Sequence, residues 1–553
     1  MKSARVIVII GLFLLLGVNS SNVFAIKTIQ SPQDFSGDKI SDLAIGVPHE
    51  DVPDFSPPYK MDAGAINVLQ GRSGIGLTDS WDQYLTEDVS EILGIAEEYD
   101  RFGEALAAGD FNCDGFADLA VGVPGQDVAG ENEAGAVHIL WGYYFGLAYQ
   151  DPLDDLILTQ TAIPSISDSE EGDSFGKALA AGDYDGDSCD DLAIGAPGED
   201  FGISIENAGI VHVVYGHSDG FNLTRSQDFY QANGQLPETR EYYDSFGAAL
   251  TTGYFGTDDY ADLAIGVPGE AFEGTSPKAY VGVVHVIYGA GTGLDGSLNQ
   301  LWYQGKPGVN GSAESEDEFG KALTTGNFDG QLGDDLAIGV PGQDVGGMNY
   351  AGAVHILYSG AGSLLTTNNH IIDQDTIYIP LPSLDPQPHD GENFGSALAG
   401  GDFNGDSIDD LAVGIPEDHH GVTPVTQCGA VNVIYGTESG LSSTDDEEWS
   451  QFDPNLLDTC EDLDKFGSAL AVGNFDDDRY MDLAIGVPGE DSASGAVHIL
   501  YGNSPGLRDD NDQVWTQDSS GINGTAEGGD KFGSALASYP IMKTFIYLPL
   551  VFR

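Results

Sequence analysis

The sequence predicts an all-β fold, a seven-bladed β-propeller built from four-stranded blades. The pentapeptide DLA(I/V)G recurs seven times in the 553 residues. Its aspartates are Asp42, Asp118, Asp191, Asp262, Asp335, Asp410 and Asp482, spaced 71 to 76 residues apart. A period of this length indicates one copied structural unit. Each unit holds four short apolar runs bounded by Gly and Pro, and seven units of four strands are typical of a propeller.

The unit at residues 101–160 illustrates the four expected strands. Residues 102–108 form the first apolar run, and the acidic segment 110–118 separates it from the second run, 119–123. Residues 136–141 form the third run and residues 155–160 a weaker fourth. Runs rich in Val, Ile, Leu and aromatic residues between Gly and Pro predict antiparallel strands. The first run is rich in Ala and Gly, so we expect it to lie at the crowded centre of the ring.

The two ends of the chain are expected to complete one blade. Seven Phe-Gly pairs begin the first strands, at Phe102, Phe175, Phe246, Phe319, Phe394, Phe466 and Phe532. The first acidic segment, 34–42, has no such strand before it, and the last such strand, 532–537, has no acidic segment after it. The C-terminal strand would then be the inner strand of blade one, which pairs an otherwise exposed edge. The alternative is that residues 26–30 fill this position.

The predicted propeller spans residues 26–540, between an N-terminal leader and a short tail. Blade one combines residues 33–100 with 532–538, and the other blades span 101–173, 174–244, 245–317, 318–392, 393–464 and 465–531. Residues 1–25 have the pattern of a signal peptide, because Lys2 and Arg5 precede the short apolar run 6–18, and Val23 and Ala25 offer small residues at positions −3 and −1 of a cleavage site. An uncleaved membrane anchor is the alternative. The apolar tail, 541–553, is too short to span a bilayer.

The acidic segments have the pattern of calcium-binding loops. Numbered from the first acid to the Asp of DLA, positions one, three, five and nine offer side-chain oxygens and position seven offers a backbone carbonyl. We expect a glycine at position six to allow the sharp turn. Four loops are complete: Asp110, Asn112, Asp114, Phe116 and Asp118; Asp183, Asp185, Asp187, Cys189 and Asp191; Asp402, Asn404, Asp406, Ile408 and Asp410; Asn474, Asp476, Asp478, Tyr480 and Asp482. Many oxygen ligands at flexible spacing favour Ca²⁺ over Mg²⁺.

The other three loops are weaker candidates for a cation. Blade one offers Asp34, Ser36, Asp38 and Asp42, and blade five offers Asn327, Asp329, Gln331 and Asp335. Blade four has Tyr254 and Gly256 at positions one and three, so only Asp258 and Asp262 remain. No tight site is expected in blade four.

Charge and cysteine content restrict the partners and the compartment. The chain has 89 acidic and 19 basic residues and a net charge of −70, so nucleic acid and anionic membrane surfaces would be repelled. An exported protein keeps its disulfides. Cys428 and Cys460 lie in one unit and are expected to pair locally. For Cys113 and Cys189, a disulfide and free thiols are both open.

The histidines do not indicate a catalytic site. His138, His212, His285, His355 and His498 occupy the same third-strand position in five units. Equivalent residues of different blades cannot converge there, so a structural role is expected. Residues 418–420 are expected to be a local polar loop. Since no set of acids and histidines stands outside the repeat, the chain is expected not to be an enzyme.

The combination FGxALAxGDx[ND]xDGxxDLA[IV]G[VA]P with GAVx[IV][LI]YG resembles the FG-GAP repeat over about residues 33–538. That repeat builds the propeller head of integrin α subunits and occurs in glycosylphosphatidylinositol-specific phospholipase D. The resemblance implies calcium in the loops between first and second strands, on one face, and ligand-binding loops on the opposite face. Neither integrin leg domains nor a lipase domain is expected within this sequence.

The function expected from this resemblance is a secreted or cell-surface adhesion or ligand-binding module with structural calcium. Its ligand would be an extracellular protein or glycan, and no transmembrane segment is expected after signal cleavage. The alternative is an extracellular enzyme on the same scaffold, carbohydrate-active or phospholipase-like. A cleft with unpaired acids and histidines would favour the enzyme, and regular repeat symmetry favours the binding module.

Overall fold

Seven four-stranded antiparallel sheets, the blades, account for most of the regular structure. The computed structural model describes residues 34–538, except 54–58, 90–91, 149–154, 203–204, 273–277, 378–386, 420–426, 443 and 445. The predicted signal peptide (1–25), the alternative inner strand (26–30) and the tail (541–553) lie outside the described residues.

The strands of a blade lie side by side from the centre of the ring outward. From blade one to blade seven, the innermost strands are Ala535–Ala537, Ala105–Gly109, Ala178–Gly182, Ala249–Gly253, Leu323–Gly326, Ala397–Gly401 and Ala469–Gly473. The second strands, in the same order, are Leu43–Val47, Asp118–Val123, Asp191–Ala196, Asp262–Val267, Asp335–Val340, Asp410–Ile415 and Asp482–Val487. The third strands are Ala65–Arg72, Ala136–Leu140, Ile210–Tyr215, Val283–Tyr288, Ala353–Leu357, Ala430–Ile434 and Ala496–Tyr501. The outermost strands are Gly76–Leu85, Leu156–Leu158, Asn222–Phe229, Asp295–Trp302, His370–Ile372, Glu447–Trp449 and Arg508–Trp515.

The remaining regular elements are small. In the part of the chain that the structure describes, three two-stranded hairpins pair Val52–Pro53 with Tyr59–Lys60, Gly142–Tyr143 with Gly146–Leu147, and Ser359–Gly360 with Ser363–Leu364. Helix is confined, among the described residues, to the 3₁₀ turn Gln160–Ala162 and the four-residue turn Glu490–Ala493. None of the described helices is long and apolar enough to cross a membrane. The predicted all-β class is confirmed.

The blades form a closed ring. Each innermost strand contacts the innermost strand of the next blade, and that of blade seven contacts that of blade one. Seven hydrophobic clusters each combine buried residues of two neighbouring blades. Between blades seven and one, for example, Ile45 and Leu69 pack with Phe475 and Val497. The core of the protein therefore lies between the blades, and the seven-bladed propeller is confirmed.

The C-terminal strand closes the ring, as the sequence predicts. Ala535, Leu536 and Ala537 pair with Gly46, Ile45 and Ala44 in antiparallel register. The innermost position of blade one is therefore filled by the C-terminal strand and not by residues 26–30. The preceding Phe532 N–H donates to the carbonyl oxygen of Ser494 in blade seven at 3.0 Å, so the same segment joins both blades.

Close backbone contact between blades explains two glycines of the repeat. A Cβ atom on Gly122, in the second strand of blade two, would lie 2.1 Å from the carbonyl oxygen of Gly176 in blade three. Gly135 has a φ of +87°, and a Cβ there would lie 2.3 Å from the carbonyl oxygen of Phe175. The Phe175 N–H donates to the Ala134 carbonyl oxygen at 3.0 Å. Only glycine permits this approach without displacing the next blade.

Both cysteine pairs are disulfides. Cys428 and Cys460 are joined within one unit, with Cα atoms 5.6 Å apart, as expected from the sequence. Cys113 and Cys189 are also joined, with Cα atoms 4.8 Å apart, so the alternative of free thiols does not hold. Both Cα separations lie in the ordinary range for a disulfide. The second bridge links the acidic loops of blades two and three.

Candidate metal centres

The seven acidic loops form a continuous ring at one end of the propeller. Each loop joins the innermost strand of its blade to the second strand, so antiparallel pairing puts all seven loops at the same end. The position-eight N–H of each loop donates to the position-one carbonyl oxygen of the preceding loop at 2.8–3.2 Å. The pairs are Ala117 with Asp34, Asp190 with Asp110, Ala261 with Asp183, Asp334 with Tyr254, Asp409 with Asn327, Met481 with Asp402, and Ser41 with Asn474. Each loop is therefore positioned by its neighbour.

Within a loop, alternate side chains turn back onto the backbone. In blade two, the Asp114 N–H donates to Asp110 Oδ1 at 3.0 Å and to Asn112 Oδ1 at 2.8 Å. The Phe116 N–H donates to Asp114 Oδ1 at 3.0 Å. The loops of blades six and seven repeat these three bonds at 2.7–3.2 Å. Short Asp and Asn side chains favour such local bonds. The alternation seen in the sequence therefore corresponds to one set of side chains on the inner side of a tight turn.

The prediction of a glycine at position six is correct in blade two and wrong in blades three, six and seven; in blade seven this position is Arg479, and Asp477 at position four has a φ of +60°. Gly115 has a φ of +100° at position six. In blades three and six this position is Ser188 or Ser407, each with positive φ, and the glycine stands at position four as Gly186 or Gly405. Both positions have left-handed backbone in these loops. The N–H groups of Ser188 and Ser407 donate to Asp183 Oδ2 and Asp402 Oδ2 at 2.9 and 2.8 Å. These bonds hold the serines in a backbone conformation that glycine adopts more readily.

Blade three has the most concentrated group of carboxylates. Asp183, Asp185 and Asp191 are buried, and one oxygen of each lies within 4.8 Å of the others. Burial raises the pKa of Asp191 to about 9 and that of Asp183 to about 6. Asp185 Oδ2 accepts a bond from Arg225 Nη1 at 2.7 Å, so one guanidinium already offsets part of the charge. Buried, clustered carboxylates fit a hard divalent cation, because each needs a counter-charge to remain ionised.

The position-seven residues have side chains that are occupied elsewhere. A Cβ on Gly37 would lie 2.3 Å from the Phe116 ring, and a Cβ on Gly405 would lie 2.5 Å from the Tyr480 ring. Both rings therefore rest on a neighbouring loop. Cys189 is in the disulfide with Cys113. At these positions the backbone carbonyl is the group that could serve a cation, as it is at Ile408.

The aspartate at position nine has a structural role that the sequence analysis missed. In blades two to seven, its two oxygens accept the N–H of the position-two residue and an N–H just after the third strand, at 2.8–2.9 Å. These aspartates are Asp118, Asp191, Asp262, Asp335, Asp410 and Asp482. Each bond uses one lone pair and leaves another for a ligand. The sequence contained a sign of this structural role. Blade four keeps Asp262 although Tyr254 and Gly256 replace two of the cation ligands, so the aspartate is needed for something other than a cation.

The weaker loops have internal bonds like those of the complete loops but fewer side chains that could bind a cation. In blade one, Asp34 Oδ1 accepts the Ser36 N–H and hydroxyl at 2.8 and 2.9 Å and the Asp38 N–H at 3.0 Å. In blade four, Asp262 accepts a third backbone bond, from Gly256 at 3.2 Å. Asp42, in contrast, is buried with Oδ2 unbonded and has its pKa raised by burial. The loops therefore differ in the number of oxygens left to face a cation.

Four segments of this chain match the model of a known repeat family. The FG-GAP repeat family matches residues 102–140, 175–214, 394–426 and 466–500. The chain contains FG-GAP repeats. Each matched FG-GAP segment begins at a Phe-Gly pair and includes an innermost strand, an acidic loop and a second strand.

The FG-GAP propeller is similar to parts of two kinds of larger protein. It is 34% identical to phosphatidylinositol-glycan-specific phospholipase D of Rattus norvegicus over 31% of this chain and 19% of the phospholipase. It is 30% identical to integrin alpha-PS2 of Drosophila melanogaster over 44% of this chain and 15% of the integrin. It is 28% identical to integrin alpha-8 of Gallus gallus over 49% of this chain and 23% of the integrin. The match therefore covers less than a quarter of each of these relatives.

Proposed function

We propose that this FG-GAP propeller is a secreted or cell-surface protein that binds Ca²⁺ in its acidic loops and binds an extracellular protein or glycan at its opposite end. The observation that carries the calcium assignment is the buried group Asp183, Asp185 and Asp191 in a loop type that recurs around the ring. The complete loops of blades two, three, six and seven would hold the cations. Calcium would supply the positive charge that these carboxylates lack. Its role would be structural, and it would not change the bound protein or glycan chemically.

Calcium suits these loops better than magnesium. Ca²⁺ accepts six to eight oxygens in irregular arrangements, whereas Mg²⁺ requires near-octahedral geometry and retains several waters. A loop offers up to four side-chain oxygens and one carbonyl from nine consecutive residues. Backbone bonds within the loop fix the positions of these oxygens, so their arrangement follows the turn and need not be octahedral.

The opposite end of the ring carries a group of exposed tyrosines, which we call the tyrosine patch: Tyr242, Tyr243, Tyr280 and Tyr350. Their exposed fractions are 42–55%. They lie in the loop between blades three and four and in the loops between second and third strands of blades four and five. The Tyr243 hydroxyl donates to Glu206 at 3.3 Å, and the Tyr350 hydroxyl donates to Glu316. Exposed aromatic rings beside carboxylates are suited to stacking on a sugar or on a protein side chain.

A binding role is favoured over an enzymatic one because the acidic groups of the loops between innermost and second strands follow the repeat. Acids that recur in every blade meet backbone N–H groups or a cation and do not form a single cleft. The alternative, an extracellular hydrolase of the phospholipase or carbohydrate-active type, is supported by similarity to phosphatidylinositol-glycan-specific phospholipase D. That similarity covers 19% of the phospholipase, and the regular recurrence of the loop acids favours the binding role.

The calcium assignment predicts a metal-dependent melting temperature. A ligand that binds only the folded state adds about 2.7 kcal/mol per site at about a hundredfold excess over its dissociation constant. Chelation should therefore lower the melting temperature measured by calorimetry, and Ca²⁺ should restore it more fully than Mg²⁺. An unchanged melt of protein verified as metal-free would contradict the assignment.

The ligand assignment is tested on panels of immobilised glycans and extracellular matrix proteins. The double variant Tyr243→Ser/Tyr280→Ser should lose binding by about tenfold or more while keeping its calcium-dependent melt. Tyr144→Ser is the matched control, because Tyr144 is 68% exposed in the hairpin Gly142–Leu147, at the acidic-loop end. Equal loss in both variants would refute the patch. Hydrolysis of a glycosylphosphatidylinositol-anchored substrate by the purified chain would favour the enzyme.

A further inference from the structure

Blade six departs from the repeat at three positions that meet in space. Two residues before each Phe-Gly pair, six blades have Asp, at Asp100, Asp173, Asp244, Asp317, Asp464 and Asp530, and blade six has Glu392. Three residues earlier, six blades have Glu, at Glu97, Glu170, Glu241, Glu314, Glu461 and Glu527, and blade six has His389. Four residues after the second strand, five blades have Asp, at Asp51, Asp127, Asp200, Asp344 and Asp491, and blade six has His419. Two acids are thus replaced by imidazoles.

The three side chains converge at the end of the ring opposite the acidic loops. His389 Nδ1 lies 2.8 Å from Glu392 Oε1, and His419 Nδ1 lies 3.5 Å from the same oxygen. The two imidazole ring centres are 4.9 Å apart. One donor atom of each residue lies within 4.8 Å of the others. The sequence predicts a local polar loop at residues 418–420, but His419 is part of a group that includes residues 27 and 30 positions earlier in the chain.

Glu392 is fixed in position, and the histidines face solvent. The carboxylate of Glu392 is buried, and its Oε2 accepts the His389 N–H at 2.8 Å, which leaves Oε1 toward the imidazoles. The side chains of His389 and His419 are 28% and 33% exposed. A divalent cation at this point would be a counter-charge for the buried Glu392 carboxylate and could enter from solvent.

We propose that His389, Glu392 and His419 form a binding site for Zn²⁺, separate from the calcium loops. Two imidazoles and one carboxylate are a common ligand set for zinc, with a fourth position open to water or another ligand. In tetrahedral geometry with bonds of about 2.0–2.1 Å, ligand atoms are about 3.4 Å apart. The distances from Glu392 Oε1 to the Nδ1 atoms of His389 and His419, 2.8 and 3.5 Å, lie on either side of this separation. Coordination through Nδ1 requires the tautomer with its proton on Nε2.

The donor set separates this site from the calcium loops. Ca²⁺ selects oxygen ligands, whereas imidazole suits zinc and neighbouring transition metals. In blade seven the equivalents of His389, Glu392 and His419 are Glu461, Asp464 and Asp491. Glu461 and Asp491 lie with the adjacent Glu490 in a group whose donor atoms are within 4.8 Å of one another, and this group offers only oxygens. Blade seven therefore provides a matched control of the same location and a different donor chemistry.

The test measures Zn²⁺ binding by the whole chain in saturating Ca²⁺, with a chromophoric chelator as competitor. One Zn²⁺ should bind per chain. His389→Asn and His419→Asn should each raise the Zn²⁺ dissociation constant by about 100-fold or more, with an unchanged calcium-dependent melting temperature. Glu461→Gln in blade seven should leave Zn²⁺ binding unchanged.

A measurement on the unsubstituted protein makes the result independent of how the variants fold. X-ray absorption at the zinc edge should show two imidazole ligands, and Co²⁺ in the same site should give the strong visible absorption of a tetrahedral complex. No retained Zn²⁺ in saturating Ca²⁺, an all-oxygen zinc shell, or equal Zn²⁺ affinity in the histidine variants would each overturn the proposal. A melting temperature that does not respond to Ca²⁺ would refute the calcium loops and leave the zinc site standing.

Discussion

At the residue scale, His138 differs from its equivalents in the other blades. Its Nε2 lies 3.1 Å from Glu87 Oε1 and its Nδ1 lies 3.3 Å from Asp155 Oδ2, and all three side chains are buried. Burial alone would lower the pKa of His138, but its hydrogen bond to Asp155 and its ion pair with Glu87 raise the pKa to about 9. Burial lowers the pKa of His355 to about 3. The same position therefore holds a cation between blades one and two and a neutral ring in blade five.

His138→Asn should destabilise the protein in a pH-dependent way. The folded-state pKa lies above the ordinary 6.5, so the stability that the imidazolium contributes is complete below that value and is lost as pH rises through about 9. Removing it leaves two buried carboxylates without a counter-charge, which costs about 3–5 kcal/mol. Urea unfolding between about pH 6 and 10 should show this loss shrinking as pH rises from about 6.5 and levelling off above about pH 9.

The control for this prediction is His355→Asn. Asn67 and Asn432 occupy the equivalent position in blades one and six, so asparagine fits the site. Because His355 is neutral over the same pH range, the loss of stability caused by His355→Asn should be independent of pH. Parallel pH profiles for the two variants would show that His138 is not charged in the folded protein.

At the element scale, the acidic loops share a backbone but differ in the oxygens that remain for a cation. The loop of blade three combines Asp183, Asp185 and Asp191 within 4.8 Å. In blade four, Asp262 accepts N–H groups from Phe255, Gly256 and Gly289, and Tyr254 replaces the first ligand. The same backbone bonds are thus present in blades two to seven, and a full set of candidate cation ligands is present in only some blades.

Asp187→Ala should remove one bound Ca²⁺, and Asp258→Ala should remove none. Asp187 is at position five of a complete loop, whereas Asp258 stands in a loop with a single further carboxylate at a ligand position. Calcium per chain, measured after equilibrium dialysis, tests both variants together. A full calcium complement in Asp187→Ala, or a deficit in Asp258→Ala, would contradict the assignment of occupied loops to blades two, three, six and seven.

At the scale of the whole molecule, stability depends on closing the ring. The hydrophobic clusters lie between blades, so every blade needs two neighbours to bury its faces. Blade one obtains its innermost strand from the other end of the chain, through the pairing of Leu536 with Ile45. That pairing joins residues separated by nearly the whole sequence.

Truncation at Gly529 should open the ring, whereas truncation at Thr544 should not. The longer deletion removes Ala535–Ala537 and leaves the edge of Leu43–Val47 unpaired at the centre, which favours aggregation. The shorter deletion retains every described strand. Size-exclusion chromatography and thermal melting distinguish the two outcomes. A monomeric, stable protein lacking residues 529–553 would show that the C-terminal strand is not needed for closure.

The sequence by itself determined the blades, their number and the way the ring closes. A repeated pattern of apolar runs fixes local strands, because each run must bury the same faces in every copy. The mismatch between residues 34–42 and 532–537 was sufficient to predict the closing strand. The alternation of Asp and Asn likewise predicted which side chains share the inner side of each loop, since a tight turn brings alternate residues together.

Only the tertiary structure decided which distant residues meet. The disulfide between Cys113 and Cys189, the contact of Arg225 with Asp185, and the group of His389, Glu392 and His419 all join different loops or blades. Repeat periodicity places a residue within its blade but does not specify what faces it from the next loop. Those contacts depend on how neighbouring blades pack, and packing is set by the summed shape of many side chains and not by any local pattern.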